Sequence, residues 1–423
     1  QLKTISRYAF FKTCIQSINF PNNLENIEDF AFNECTNLRL LNFIPESKLQ
    51  TIGCNTFQST FIVEIKIPSS VRVIKSNAFY QCKSLEIVEF LSNSRLEVIE
   101  ENAFSNSSIK KINIPPSVKI IKMCAFIGCK NLEIVEFSSD SKLEIIEKNA
   151  FINSSIKKIN IPSSLKLLEE GWCSDTPNLI EVEISPNNKY YKLIDNKYIV
   201  YKSDQKVEDF DILVFANRNI DEINIPNNIK RINDYCFEKC NKLNKVEITT
   251  ESSLEIIGQY SFSKSSIPNI TIPNSVKYIE QYSFYECQNL KSVTFSSSSQ
   301  LKTISRYAFF KTCIQSIIFP NNLENIEDFA FSECWKLSIV DFSSGSNLES
   351  IMENAFYCTS IKSIIIPASV KIIESKAFRI SSLQKFEIPC NSKLEEFYQD
   401  AIPESLFDKI QFPPYTNLIY SFY

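Results

Sequence analysis

Phenylalanine returns along this chain at fixed intervals, at positions 10, 32, 57, 79, 104, 126 and 151, with steps that alternate between 22 and 25 residues. The alternation resumes at Phe215, Phe237, Phe262, Phe284, Phe309, Phe331, Phe356 and Phe378, so the unit is a pair of unequal repeats of 47 residues. Cys173 takes the Phe place between the two runs and Ala401 takes it after the second, giving 17 repeats. The 42 residues from Cys173 to Phe215 are one 25-residue step with an insertion of 17. Residues 2–35 return almost unchanged at 301–334, an offset of 299 that equals six pairs plus that insertion. One such repeat cannot bury its own apolar face, and a stack of them can.

Each repeat has two apolar signatures. The first is a short alternating run such as LEIVEF at 85–90 or IKKINI at 109–114, in which Val88 and Phe90, or Ile112 and Ile114, share one face. That is the period of a strand. The second is Ile-x-x-x-Ala-Phe, as in Ile74 to Phe79 and Ile99 to Phe104, flanked by Pro-Ser-Ser or Asn-Ser. It suits a tight helical or irregular turn rather than a long helix. Successive strands then stack as a parallel sheet, and the expected class is an α/β repeat solenoid.

The pattern Leu-x-x-Ile-x-x-x-Ala-Phe-x-x-Cys-x-x-Leu-x-x-Val-x-Phe, with Ile-Pro-x-Ser-Val at 67–71, 114–118 and 366–370, closely resembles the BspA-type leucine-rich repeat. The resemblance spans the chain apart from 186–214 and implies a right-handed leucine-rich-repeat coil. It implies a parallel sheet on the concave face and short helical or irregular turns on the convex side. It also implies a bacterial or protist surface protein that adheres to host matrix or to other cells. The Ile, Asn, Lys, Ser and Phe bias points the same way, toward a protist.

Composition removes most alternatives. Lys and Arg number 45 against 49 Asp and Glu, a net charge of −4, so there is no basic field for nucleic acid. The chain has no His, which removes the commonest general base and the Ser-His and Cys-His pairs, and only 5 Gly, which leaves no phosphate loop. We expect no enzyme, no cofactor and no metal site. No apolar run reaches the length of a membrane span. Beginning at Gln1 without a signal-like stretch, the chain reads as a processed form or excised fragment.

The organisation expected is one continuous solenoid: repeats over 1–185, an inserted β-hairpin over 186–214, repeats over 215–400, and a degenerate cap over 401–423. The insertion is Tyr-rich, and Tyr190, Tyr191, Tyr198 and Tyr201 are its candidate contacts. At the other end no cap is evident, and an uncovered first rung predicts end-to-end self-association. Cys35, Cys82, Cys129, Cys240, Cys287 and Cys334 sit three residues after a Phe in alternate repeats. Equivalent atoms two rungs apart lie about 10 Å from each other, beyond disulfide reach, so these read as buried free thiols.

The outward strand positions form the candidate protein-binding face. In the N-terminal half they are Glu64, Lys66, Glu89, Lys111, Asn113, Glu136, Lys158, Asn160 and Glu183, continuing with Glu222, Asn224 and Glu247. Beyond Asn269 they become neutral and apolar, with Thr271, Thr294, Ile318 and Ile365 among Ser292, Ser316 and Ser363, while Asp341 and Glu387 stay acidic. Two readings stand: a solvated face with charges paired across strands, or an extended platform for a protein ligand. Asn106, Asn153 and Asn269 open Asn-x-Ser/Thr sequons for glycan in a secreted chain. The function expected is protein binding in adhesion or recognition at the cell surface or after secretion, with a cytoplasmic interaction scaffold as the alternative.

Overall fold

A computed structural model describes residues 2–44, 46–204, 209–296, 298–379 and 381–419. Two compact units are present, Gln1–Lys197 and Tyr198–Tyr423, and each is a stack of rungs. In the first, every rung contributes one longer strand and one two-residue strand. The longer strands run from Ser17–Asn19 to Glu181–Ile184 as an eight-stranded sheet, and the short ones from Thr4–Ile5 to Leu167–Leu168 as a second eight-stranded sheet. Among the described residues these strands pair parallel and in register, so that Ile112, Val135, Ile159 and Val182 lie side by side. A parallel-sheet coil of this kind is the leucine-rich-repeat architecture expected.

In the second unit the short strands run from Arg231–Ile232 to Asn417–Ile419, each parallel to the next. At its start Tyr198–Tyr201 pairs antiparallel with Ile212–Ala216 through a bulge at Ile199/Val200. The insertion's residues 205–208 and the last residues of the cap, 420–423, lie outside the described residues. The longer strands here fall into three groups. Glu222–Asn224 pairs with Lys245–Glu247, four strands from Asn269–Ile272 to Ile339–Phe342 form one sheet, and Ser363–Ile365 pairs with Lys385–Glu387.

The Ile-x-x-x-Ala-Phe segment takes the irregular alternative. Helix among the described residues is confined to a 3-10 turn at Gln399–Ala401 and one turn at Glu404–Phe407. Residues two before and two after the Phe adopt left-handed φ, as at Asn77 (57°) and Gln81 (57°), or Asn102 (55°) and Asn106 (56°). Alternating handedness points alternate N–H groups along the stack. Asn77, Phe79 and Gln81 donate to the carbonyls of Glu101, Ala103 and Ser105 at 2.8–2.9 Å, while Ala78 and Tyr80 close local turns onto Lys75 and Asn77. A third hydrogen-bonded ladder thus runs through the turns and leaves few backbone groups to satisfy elsewhere. The same ladder corrects the last repeat: Phe378 donates to the carbonyl of Ala401, as Phe79 does to Ala103, so Ala401 holds the Ala slot and buried Ile402 the Phe slot.

The Phe slots form an internal spine. Phe32, Phe57, Phe79, Phe104, Phe126 and Phe151 are fully buried, with successive centroids 5.2–5.4 Å apart and planes within 16°. Phe237 to Phe378 repeat this in the second unit at 4.8–5.3 Å. Each contact contributes about 0.5–1.5 kcal/mol beyond its buried area. A second column stands outside it. Tyr235, Tyr260, Tyr282, Tyr307 and Phe329 stack at 4.5–5.0 Å, all at left-handed φ between 53° and 60°. Asn holds this register at four of the eight rungs of the first unit, Asn55, Asn77, Asn102 and Asn149, because Asn tolerates the left-handed region. For an aromatic residue that backbone costs about 1–2 kcal/mol, comparable to the two ring contacts each central residue gains.

Two stability measurements check this account. Phe104→Ala removes a ring stacked on both sides and should lower the unfolding free energy by about 3–5 kcal/mol. Phe10→Ala, where the ring is half-buried and stacks on Phe32, should cost less than half as much; equal losses in urea titrations would refute the spine. Tyr282→Val keeps the left-handed strain and removes the stack, whereas Tyr282→Gly also relieves the strain. Val should therefore be the less stable by about 1–2 kcal/mol.

Candidate functional site: the outward face of the longer strands

Strand alternation sets the outward face. In Glu64–Ile67 the burial pattern is exposed, buried, exposed, buried, so Ile65 and Ile67 pack inward while Glu64 and Lys66 face solvent. From Glu64–Ile67 to Glu181–Ile184 eight of the twelve outward positions are charged: Glu64, Lys66, Glu89, Lys111, Glu136, Lys158, Glu181 and Glu183. Most are paired across rungs. Lys66 meets Glu89 at 3.0 Å and Lys111 meets Glu136 at 2.9 Å. Lys158 holds Glu181 at 2.6 Å and Glu183 at 2.8 Å, and these hydrogen bonds keep its ammonium well above the ordinary lysine range. Exposed pairs of this kind contribute little to stability. What they do is occupy every outward lysine with a carboxylate of a neighbouring rung and leave a small acidic excess, five Glu against three Lys.

The amides add to this closure. The Asn160 side chain donates to the Phe137 carbonyl at 2.7 Å and accepts from the Phe137 N–H at 2.8 Å, taking the place of a strand partner. Asn42 donates to Asn19 at 2.6 Å. Asn113 stays exposed, in register with Glu136.

The second unit presents a different face. Glu222 and Asn224 are exposed, and the outward pair Lys245–Glu247 is joined at 2.6 Å. The next five strands, Asn269–Ile272 to Ser363–Ile365, have ten outward positions and one charge, Asp341. Among the described residues Asp341 makes no ion pair. Ile318, Ile339 and Ile365 are 62%, 60% and 60% exposed, and Trp335, in the connection leading to Ile339, is 63% exposed. Sequence reasoning missed Ile339 and Trp335; the outward parity of Ile339, two residues before Asp341, was readable. Two shallow hollows of about 500 and 490 Å³ adjoin here and share Ser343 and Ser344. Lys385 and Glu387 pair again on the rung beyond.

The insertion candidates divide. Tyr191 and Tyr198 are buried, which corrects their assignment as contacts. The Tyr191 hydroxyl accepts a hydrogen bond from the Leu168 N–H at 2.7 Å, so the ring closes over the edge of the short-strand sheet. Tyr190 and Tyr201 are half-buried.

Comparison with known proteins follows from this geometry. Residues 3–133, 97–194, 209–314 and 302–422 match the family model described as BspA type Leucine rich repeat region (6 copies). The chain belongs to this family. A leucine-rich repeat protein from Eubacterium ventriosum is 25% identical over 77% of this chain and 84% of that one, with a TM-score of 0.66. The pneumococcal vaccine antigen PcpA is 24% identical over 88% and 85%, with a TM-score of 0.61. A leucine rich cell surface protein from Faecalibacterium prausnitzii is 20% identical over 91% and 90%, with a TM-score of 0.55. A search of curated proteins finds none that matches. Among the described residues no helix is long and apolar enough to cross a membrane, and no three His, Cys, Asp or Glu side chains are grouped to hold a metal ion.

The BspA type repeat also explains the cysteines and two of the sequons. In four pairs of rungs the slot three residues after the Phe alternates Thr or Ser with Cys: Thr60 and Cys82, Ser107 and Cys129, Ser265 and Cys287, Thr312 and Cys334, each pair 3.2–3.5 Å apart. The Cys82 thiol donates to the Phe57 carbonyl at 3.0 Å. Asn106 and Asn153 occupy left-handed turn positions, φ 56° and 58°, where Asn is favoured whether or not glycan is attached. Asn106 and Asn269 are exposed and Asn153 is half-buried.

Burial pushes the Cys82 and Cys129 thiols up to about 11, and Cys287 and Cys334 up to about 12. A thiol that ionises more readily in the unfolded chain favours unfolding once the pH passes the unfolded value. The stability these groups contribute is therefore complete below the ordinary thiol value of 9.0 and is lost as pH rises toward 11–12. Urea midpoints should fall between pH 8 and pH 10.5, and fall less when Cys82, Cys129, Cys287 and Cys334 are all replaced by Ser. At pH 8 a thiol reagent should label exposed Cys14 and Cys390 long before those four.

Proposed function

We propose that this chain is a non-enzymatic protein-binding module of a cell surface, and that it engages host matrix or cells through the outward face of its longer strands. The observation that carries the reading is the contrast between the outward strand positions of the two units. In the first unit three outward lysines pair with four of the five outward glutamates, whereas the second presents three exposed Ile side chains around Asp341, which makes no ion pair among the described residues. Exposed apolar groups gathered in one region mark interaction sites far more often than scattered ones do. The face rests on three hydrogen-bonded ladders, so it offers a preformed surface, and binding there loses little conformational entropy.

Chemistry supports binding over catalysis. The chain has no His, and the Cys82, Cys129, Cys287 and Cys334 thiols are buried, hydrogen-bonded and held as neutral SH. Neither group supplies a base and nucleophile pair. The surface location takes its direction from the family resemblance.

Retention of the purified chain on surfaces coated with extracellular matrix proteins, and on cultured cells, tests the proposal. Binding should saturate and should drop at least fivefold for a variant carrying Ile318→Asn, Ile339→Ser and Ile365→Lys. Retention equal to that of this variant on every surface would overturn the adhesion reading.

A further inference from the structure

The near-copy inside the chain supplies an internal control for the apolar region. Residues 2–35 and 301–334 differ at two positions only, Asn19 against Ile318 and Asn33 against Ser332. Asn33 and Ser332 are both buried, so the one outward difference is Asn19 to Ile318. Carrying the same offset onward, Thr36 corresponds to Trp335 and Lys66 to Ile365. Leu40, 42% exposed, corresponds to Ile339, so that position is apolar in both units, and the second unit differs in holding large exposed apolar side chains at 318, 335 and 365 and an acid, Asp341, in the place of Asn42. The two loci also differ in charge. Lys66 pairs with Glu89, whereas Asp341, flanked by Ile318 in register and by Ile365 on the next rung, has no cation among the described residues.

From this we infer that Ile318, Asp341 and Ile365, with Ile339 and Trp335 beside them, form a recognition site for a protein segment that presents one Lys or Arg between apolar side chains. The inference rests on the protein-binding reading and names the partner's chemistry. A carboxylate bordered by aliphatic surface selects a cation that can leave water with its charge matched, and it disfavours acidic or all-polar segments. Spacing adds a second requirement. Neighbouring rungs lie about 4.8 Å apart, close to the 5.4 Å rise of a helical turn, while alternate residues of a strand lie about 6.8 Å apart. An amphipathic helix lying across the strands thus places apolar, basic and apolar side chains over Ile318, Asp341 and Ile365 in turn. The hollows on either side, one lined by Asp341 and Ile365 and the other by Ile318, receive the flanking groups.

The test selects a random 16-residue peptide display library against the full chain. The counter-selection target is the variant carrying Ile318→Asn and Ile365→Lys, substitutions the same fold already holds at positions 19 and 66. Enriched peptides should carry Lys or Arg with apolar residues three or four positions to each side. Ile318→Asn or Asp341→Asn should each weaken a selected synthetic peptide roughly tenfold, about 1.4 kcal/mol, and Asn19→Ile in the first unit should leave it unchanged. Unchanged far-ultraviolet circular dichroism and urea midpoint show that each variant is folded. Peptides that bind the variant as well as the parent, or that lack the cation, overturn this site while leaving protein binding elsewhere on the chain intact. Failure to enrich any peptide, together with loss of matrix and cell retention, overturns the protein-binding reading itself.

Discussion

Backbone hydrogen bonding from each rung to the next is the constraint on which the rest of this structure depends. A rung is too small to hold a core, and its polar backbone is satisfied only if the neighbouring rung offers the same groups at the same height. Two of the three ladders are ordinary parallel strands. The third runs through the turn and requires left-handed residues on both sides of each Phe, so that Phe79 donates to Ala103 just as Phe104 donates to Ala125. With the backbone locked in this way, the Phe rings have little freedom but to stack, and the spine follows from the ladders as much as it supports them.

Much of this is legible in the sequence. Phe spacing gave the register, and strand alternation told which side chains of LEIVEF face outward. The turn was harder to read, because Ile-x-x-x-Ala-Phe has a helix-like spacing and only its Asn residues hint at left-handed backbone. Tyr260 and Tyr282 conceal that hint, since their place is justified by stacking on each other rather than by intrinsic preference. Ala401 reads as the Phe slot, one position early, for a similar reason: without Phe there, only the hydrogen bond from Phe378 shows that Ile402 fills it.

The candidate face was legible residue by residue but not as a pattern. Alternating charges at 64, 66, 89 and 111 are visible in the sequence, yet whether Lys158 reaches one carboxylate or two depends on rotamers and register. Asn160 reads as a surface amide until its side chain is seen bonded to Phe137. Tyr191 and Tyr198 read as loop contacts because composition marks loops, whereas burial depends on what the loop folds against. Trp335 sits in a connection between elements, where neither periodicity speaks.

Apart from the rung at Ile212–Ala216, where Phe215 follows Leu213 by two residues, one dimension of the rungs stays constant while another varies. From the inward residue of the short strand to the Phe is five residues at Ile27–Phe32, Ile74–Phe79, Ile146–Phe151, Ile279–Phe284 and Ile373–Phe378 alike. The difference between 22- and 25-residue steps lies in the connections on either side of the longer strand, and the 17-residue insertion falls in one of these, after Glu181–Ile184. Such a molecule evolves by lengthening in whole turns and by decorating its joints, while the segment between short strand and Phe changes length only beside the insertion, at Leu213–Phe215. Foreign loops or epitope tags belong at those joints, and chimaeras between relatives should be cut there.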